Sequence, residues 1–310
     1  MAVGTSDGRP VVASRRGARV RLLDPETGAE LRADAIDTGF VAGTSGAPLM
    51  RLRPGKRAVT ELWGGADGGA VDRRGTVDDL RPVLLGGVPH LAMVKGYGGL
   101  GEKYLVLRKP TGATVWAEGV GLVRVGPLRA VPAGGYALMA VAGALPGSGG
   151  NDQGAFDFGP EQYMLAVRSL PGDAVDHWEE VHSLDLVHDV GVWPGGPVVG
   201  YVTADGRLVV RTRFLPAGTR SRDRHPPEPV ARPDSARISV FRLQTRHRRP
   251  TVLTATADGY VTLFVVAAAD EQPEVLHRIP LGCAVRDLEW VDDERLAVHT
   301  ATGVICLRLP

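Results

Sequence analysis

The chain has 310 residues, 44% of them hydrophobic and 23% charged, proportions ordinary for a soluble globular protein whose core needs neither disulfide nor metal. A net charge of +1 excludes a global attraction to nucleic acid or membrane, so any electrostatic site must be a local patch. No run approaches the roughly 18 apolar residues of a membrane span, and Met1–Pro10 lacks the shape of a signal peptide, which makes the cytoplasm the expected location.

Amphipathic helical patterns are nearly absent. Short runs rich in valine, leucine and alanine recur instead, bounded by glycine, proline or aspartate, and they predict many short strands. The chain opens with a strand at Met1–Thr5 and a hairpin at Pro10–Leu22 (PVVASRRGARVRL). A turn at Asp24–Gly28 then leads into a strand at Ala29–Ile36. Degenerate copies of the hairpin follow at Gly55 (GKRAVTELW), Gly101 (GEKYLVLRK) and Gly159 (GPEQYMLAVR), while Gly64–Arg74 does not read as a strand. Lys109–Gly112 forms another turn, leading into Ala113–Glu118. Val190–Trp193 precedes the clearest hairpin, Pro197–Arg211 (PVVGYVTADGRLVVR), which returns as Pro250–Phe264 (PTVLTATADGYVTLF). Asp-Gly suits such turns because both central positions need φ > 0. A last copy, Leu296–Leu307 (LAVHTATGVICL), follows a strand at Val285–Trp290. The two cysteines, Cys283 and Cys306, cannot form a disulfide framework and read as small buried hydrophobes.

The turn glycines Gly17, Gly55, Gly101, Gly159, Gly206, Gly259 and Gly303 are 38, 46, 58, 47, 53 and 44 residues apart. Repeats of about 40–45 residues with four strands each are the propeller period. Residues 1–310 are therefore expected to form one all-β domain, a single β-propeller of seven blades of mostly four antiparallel strands. A β-sandwich also has closely spaced strands but does not repeat one hairpin at a near-constant period. In the last blade three strands are expected, at Val285–Trp290, near Leu296–Thr300 and near Val304–Leu309, the third being an open edge. The first residues are already committed as strand A of blade one.

At these residues the chain resembles the WD-repeat family. Arg19–Leu31 (RVRLLDPETGAEL) is similar to the family's strand C, terminal aspartate, Thr-Gly turn and strand D, with Leu23 where tryptophan usually stands. Asp205 and Asp258 match its aspartate between strands B and C, and Met1–Ser14 looks like the entry of actinobacterial members. No Gly-His dipeptide precedes a strand A and no Trp-Asp pair occurs, so the family's hydrogen-bond tetrad is expected to be missing and blade cohesion to come from packing.

Catalytic motifs are missing: there is no nucleophile elbow, zinc-binding helix signature, phosphate loop or dinucleotide fingerprint. His177, His182, Asp185, His188 and Asp189 fall within thirteen residues, but His182 and His188 on an extended strand would lie roughly 20 Å apart, too far to share an ion. Asp37, Asp78, Asp79, Asp189 and Asp234 stand near the starts of inner strands. A ring of carboxylates there could hold a divalent ion, as in propeller lactonases, but the preferred reading is that they end turns and accept backbone hydrogen bonds.

Two insertions stand out. Ala144–Pro160 lengthens the B–C connection of blade four, and Leu215–Ser235 lengthens the C–D connection of blade five, carrying Arg220, Arg222, Arg224 and Arg232. The A–B turn of blade six, Thr245–Arg249, is expected on the same rim. Arg220, Arg222, Arg224, Arg246, Arg248 and Arg249 are thus the candidate partner-binding residues, suited to an acidic or phosphate-bearing ligand. No stacking aromatics accompany them, which speaks against nucleic acid. The expected function is a non-catalytic interaction scaffold or sensor module with a protein partner, no catalytic residue, no metal and no cofactor. Two alternatives are a channel-metal hydrolase or lactonase and a binder of anionic polymer through the basic rim.

Overall fold

The structure is a computed structural model that describes residues 1–16, 19–35, 40–43, 47, 49–53, 59–62, 76–96, 102–109, 113–146, 162–172, 175–212, 214, 228–233, 235–267 and 271–309. Among them every regular element is a strand. The first sheet contains β1 (Ala2–Ser6), β2 (Arg9–Arg16), β3 (Arg19–Leu23) and β4 (Glu30–Ala35). A short sheet follows, of β5 (Phe40–Ala42), β6 (Met50–Arg53) and β7 (Val59–Leu62). The next sheet is β8 (Thr76–Leu85), β9 (Val88–Gly96), β10 (Lys103–Arg108) and β11 (Thr114–Gly119). After it come β12 (Arg124–Ala133), β13 (Tyr136–Ala144), β14 (Tyr163–Leu170) and β15 (Asp176–Val181). Another is formed by β16 (His188–Trp193), β17 (Gly196–Val202), β18 (Leu208–Arg211) and the two-residue β19 (Glu228–Pro229). The last two sheets are β20 (Ile238–Arg246), β21 (Arg249–Thr256), β22 (Tyr260–Val265) and β23 (Glu274–Pro280), then β24 (Val285–Trp290), β25 (Arg295–Thr300) and β26 (Val304–Arg308).

Within each sheet the strands lie in chain order and pair antiparallel. The first strands touch in a ring, β8 on β12, β12 on β16, β16 on β20, β20 on β24 and β24 on β1. The chain is a single all-β propeller. The seven-blade expectation is corrected to six blades among the described residues, five of four strands and one of three, besides the short β5–β7 sheet. The segment around Gly55 yields only the short β5–β7 sheet, whose strands are three or four residues long. β5 nonetheless fills the ring position between β1 and β8. Residues 63–75, including the Gly64–Arg74 stretch, lie outside the described residues, as do Gly17, Gly55, Gly101 and Gly159.

The turns explain the hairpins. Asp7 and Gly8, between β1 and β2, both have positive φ (52° and 75°), the combination a two-residue hairpin turn requires. In the two Asp-Gly turns only the glycines, Gly206 (80°) and Gly259 (88°), have positive φ, which corrects the expectation that both turn positions would. The terminal-aspartate turn of the first blade is built as its sequence implied. The Asp24 carboxylate accepts the amides of Glu26 (2.7 Å) and Thr27 (3.0 Å), and the bond from Thr27 is the first of the causes that hold its pKa below the usual carboxylate value.

Apolar strand faces pack blade on blade. Val94, Leu105, Leu122, Leu128 and Val141 fill the interface between the β8–β11 and β12–β15 sheets, and Val198, Val210, Phe241 and Phe264 fill the interface between the β16–β19 and β20–β23 sheets. Strands this apolar across both faces belong between layers rather than on a surface. Close approach fixes some residues as well. A side chain at Gly126 would place its Cβ 2.4 Å from the Leu184 carbonyl oxygen, so β12 can lie there only with glycine. Two boundaries differ from expectation. The blade-five fourth strand, β19, lies inside the segment taken wholly as the Leu215–Ser235 insertion, and Cys283 and Cys306 are free thiols that are half-buried rather than buried.

Candidate functional site

The described histidines do not converge. His177 is buried with Nε2 3.1 Å from Glu179 Oε2, His188 is buried with Nδ1 2.9 Å from the Leu186 carbonyl, and His182 lines a groove of about 870 Å³ on the outside. Among the described residues no three His, Cys, Asp or Glu side chains are grouped to hold a metal.

The acidic residues of the inner strands act as struts between blades. Asp79 on β8 accepts the Leu128 amide of β12 at 2.8 Å, and Asp189 on β16 accepts the Leu243 amide of β20 at 2.8 Å. Asp78 pairs with Lys103 at 3.0 Å, while Asp37 and Asp234 lie outside the described residues. Burial without full compensation raises the Asp189 pKa to about 6.

Cohesion between blades does not rest on packing alone, which corrects the expectation drawn from the missing tetrad. Arg168 of β14 reaches Glu118 of β11 in the preceding blade at 3.1 Å and Asp176 of its own blade at 2.6 Å. Arg211 of β18 reaches Glu179 of β15, again in the preceding blade, at 2.7 Å, and the Tyr201 hydroxyl donates to the same carboxylate at 3.4 Å. Burial works against the charge of Glu179, but His177 and Arg211 outweigh it and hold its pKa below the usual value. Arg242 of β20 pairs with Asp287 (2.9 Å) and Glu289 (3.3 Å) of β24. The signal that could have identified two of these residues is an apolar strand C closing on arginine, as in MLAVR and LVVR, near the position where the family carries tryptophan.

The central channel contains a cavity of about 230 Å³, lined by Arg81, Arg129, Asp189, Arg242, Glu289 and Trp290, among others. Arg81 donates through Nε to the Leu128 carbonyl at 3.3 Å. Arg129, half-buried and facing the cavity, is brought down to about pKa 10, first by desolvation and then by the nearby charges of Arg242 and Arg81.

Of the candidate partner-binding arginines, Arg220, Arg222 and Arg224 lie outside the described residues. The other three sit at the β20–β21 turn but in different situations. Arg248 is exposed, and with His247 it forms a turn in which both residues have positive φ (61° and 49°), a conformation that non-glycine residues seldom adopt. Arg249 is exposed and pairs with Glu274. Arg246 is half-buried, lying over the Trp290 ring at 5.8 Å and donating to the Leu309 carbonyl at 3.4 Å, so it joins β20 to the last sheet. Beside this turn lies a groove of about 400 Å³ lined by His247, Trp290, Asp292 and Glu294. A second groove, of about 620 Å³, runs between the Pro25–Glu26 turn of the first blade and residues Asp292–Arg295 and Cys306–Arg308 of the last. No described helix is long and apolar enough to cross a membrane.

No protein-family model matches the sequence, and no curated protein matches it. Solved structures do match. The WD40 repeats of RRP9 superimpose with a TM-score of 0.58 at 13% identity, covering 100% of this chain and 94% of that one. U3-55K gives 0.56 at 14% identity, covering 96% and 87%. BBS1N, solved in complex with ARL6DN, gives 0.59 at 11% identity, covering 98% and 88%. Likeness at such low identity over nearly the whole of both chains is likeness of fold, and with the ring of antiparallel sheets it shows a β-propeller similar in fold to WD40-repeat domains.

Proposed function

We propose that the chain is a non-catalytic interaction scaffold or sensor module that receives a protein partner on the rim carrying the Arg248 turn. One observation carries this reading. The inner carboxylates that an ion-dependent hydrolase would need, Asp79, Asp189 and Asp287, are held by backbone amides or by Arg242, whereas open surface lies on the rims. The strained presentation of His247 and Arg248 belongs to that rim, and strain of this kind gathers where a surface is used. BBS1N, solved in complex with ARL6DN, supports a protein partner in general terms, although fold alone does not assign one.

Within this proposal Arg248 and Arg249, with Arg220, Arg222 and Arg224 of the neighbouring connection, meet an acidic or phosphate-bearing surface, and Arg246 holds the turn in place. The setting proposed is the cytoplasm. The test is affinity purification from the native organism with the parent chain and with the Arg248→Glu/Arg249→Glu variant. Loss of specific partners by a variant that melts like the parent supports the reading. Identical partner sets, recovered with the same salt dependence, contradict it.

A further inference from the structure

We propose that the central channel is a binding site for a small tetrahedral oxyanion of the phosphate type, held by Arg129 and Arg81 with Arg242 behind them. The cavity collects guanidinium groups from three separate inner strands, Arg81 from β8, Arg129 from β12 and Arg242 from β20. The three are not equivalent. Arg242 is committed to Asp287 and Glu289. Arg81 spends its Nε on the Leu128 carbonyl. Among the described residues the Arg129 guanidinium has no hydrogen bond and no ion pair, and the half-buried residue faces the cavity.

A half-buried cation with like charges beside it and no hydrogen-bonding acceptor on the protein gains when an anion supplies the acceptors. Desolvation first, and then the neighbouring charges of Arg242 and Arg81, lower the Arg129 pKa. The charges of Asp189 and Asp287 offset it only in part. Asp189 gives an oxygen to the Leu243 amide, and Glu289 is taken by Arg242. A cavity of about 230 Å³ has room for a handful of waters or one small anion, below the size of ordinary drug-like pockets. Guanidinium groups arriving from different blades suit an oxyanion with acceptors in several directions better than a planar carboxylate, which a single fork satisfies.

The test is equilibrium dialysis of the full chain against radiolabelled inorganic phosphate, at constant ionic strength in chloride. The expected result is about one phosphate per chain in the parent, with affinity reduced at least tenfold in Arg129→Gln and largely kept in Arg129→Lys. Arg248→Glu, on the rim, should bind as the parent does, which separates this site from the partner surface proposed above. Melting curves show whether each variant is folded, and Arg81→Gln serves as a second probe of the cavity if Arg129→Gln is not. No binding by the parent at millimolar phosphate would overturn the proposal. So would binding equal in the parent, Arg129→Gln and Arg81→Gln, or binding lost only in Arg248→Glu.

Discussion

The β16–β19 blade and the β24–β26 sheet carry the same strand-C arginine in opposite circumstances. Arg211 closes β18 with its side chain 6% exposed, locked onto Glu179 of the preceding blade. Arg308 closes β26 with its side chain 76% exposed, and its partner is Glu294 in the β24–β25 turn of its own sheet. The difference follows from what surrounds each strand. β18 is flanked by β17 and β19 and is buried along its length, while among the described residues β26 pairs with β25 alone and is half-buried. The last sheet also meets the first through a small cluster, Val3, Val12, Val291 and Ala297, where the interior interfaces are broad. One residue type in one register is thus a buried strut or a surface charge, depending on whether a fourth strand and a tight neighbour enclose it.

The largest expected effect tests that contrast directly. Glu179→Ala leaves Arg211 enclosed without its carboxylate and deprives Tyr201 and His177 of an acceptor, so it should destabilise by about 3–5 kcal/mol in urea unfolding. Arg308→Ala removes an exposed pair and should cost less than about 1 kcal/mol. Equal losses would break the comparison.

A second effect concerns buried titration in the interior. His188 is depressed to about pKa 4, mainly by burial, and its neighbour Asp189 is raised to about 6, also by burial. The unfolded chain binds more protons at His188 between about pH 4 and 6.5, so that contribution to stability is lost as pH falls through the window. The folded chain binds more protons at Asp189 between its unfolded value and about 6, so that contribution grows as pH falls. Each is on the order of 3 kcal/mol and the two oppose each other. Asp189→Asn keeps an acceptor for the Leu243 amide and removes one side of the balance. Its stability should fall more steeply than the parent's between pH 6.5 and 4.5, and parallel profiles would contradict the assignment.

A smaller effect is expected at the β20–β21 turn. His247→Asn with Arg248→Gly supplies the residues that a turn with two positive φ angles favours, and should raise stability by about 1 kcal/mol while weakening any acidic partner. A drop in stability would mean that the turn conformation is not strained.

Much of this architecture was legible in the residues. The Asp-Gly turns, the Val285–Trp290 inner strand and the three-stranded last sheet follow from period-2 patterning and turn chemistry, which act over a few residues. What escaped was non-local. Nothing near Arg211 in sequence says that Glu179, thirty-two residues earlier, will meet it, and nothing in Thr245–Arg249 says that Arg246 folds back onto Trp290 while Arg248 points outward. The weak copy at Gly55 was legible as weak, but its reduction to the short β5–β7 sheet was not, because the hydrophobic pattern there is too sparse to set strand lengths. The channel arginines were invisible for a related reason. Arg81, Arg129 and Arg242 are isolated in sequence and share one cavity only because the ring brings inner strands together.

The ring is closed by struts between its interior blades and, among the described residues, left open along β26. Native-state hydrogen exchange tests it by comparing the amides of Val304–Arg308 with those of Tyr163–Arg168 in β14, a third strand held between β13 and β15. The account expects the Val304–Arg308 amides to exchange early and in alternation, those facing β25 outlasting those facing the open edge, while the β14 amides exchange only on global unfolding. Uniform protection across Val304–Arg308 equal to that of β14 would contradict it.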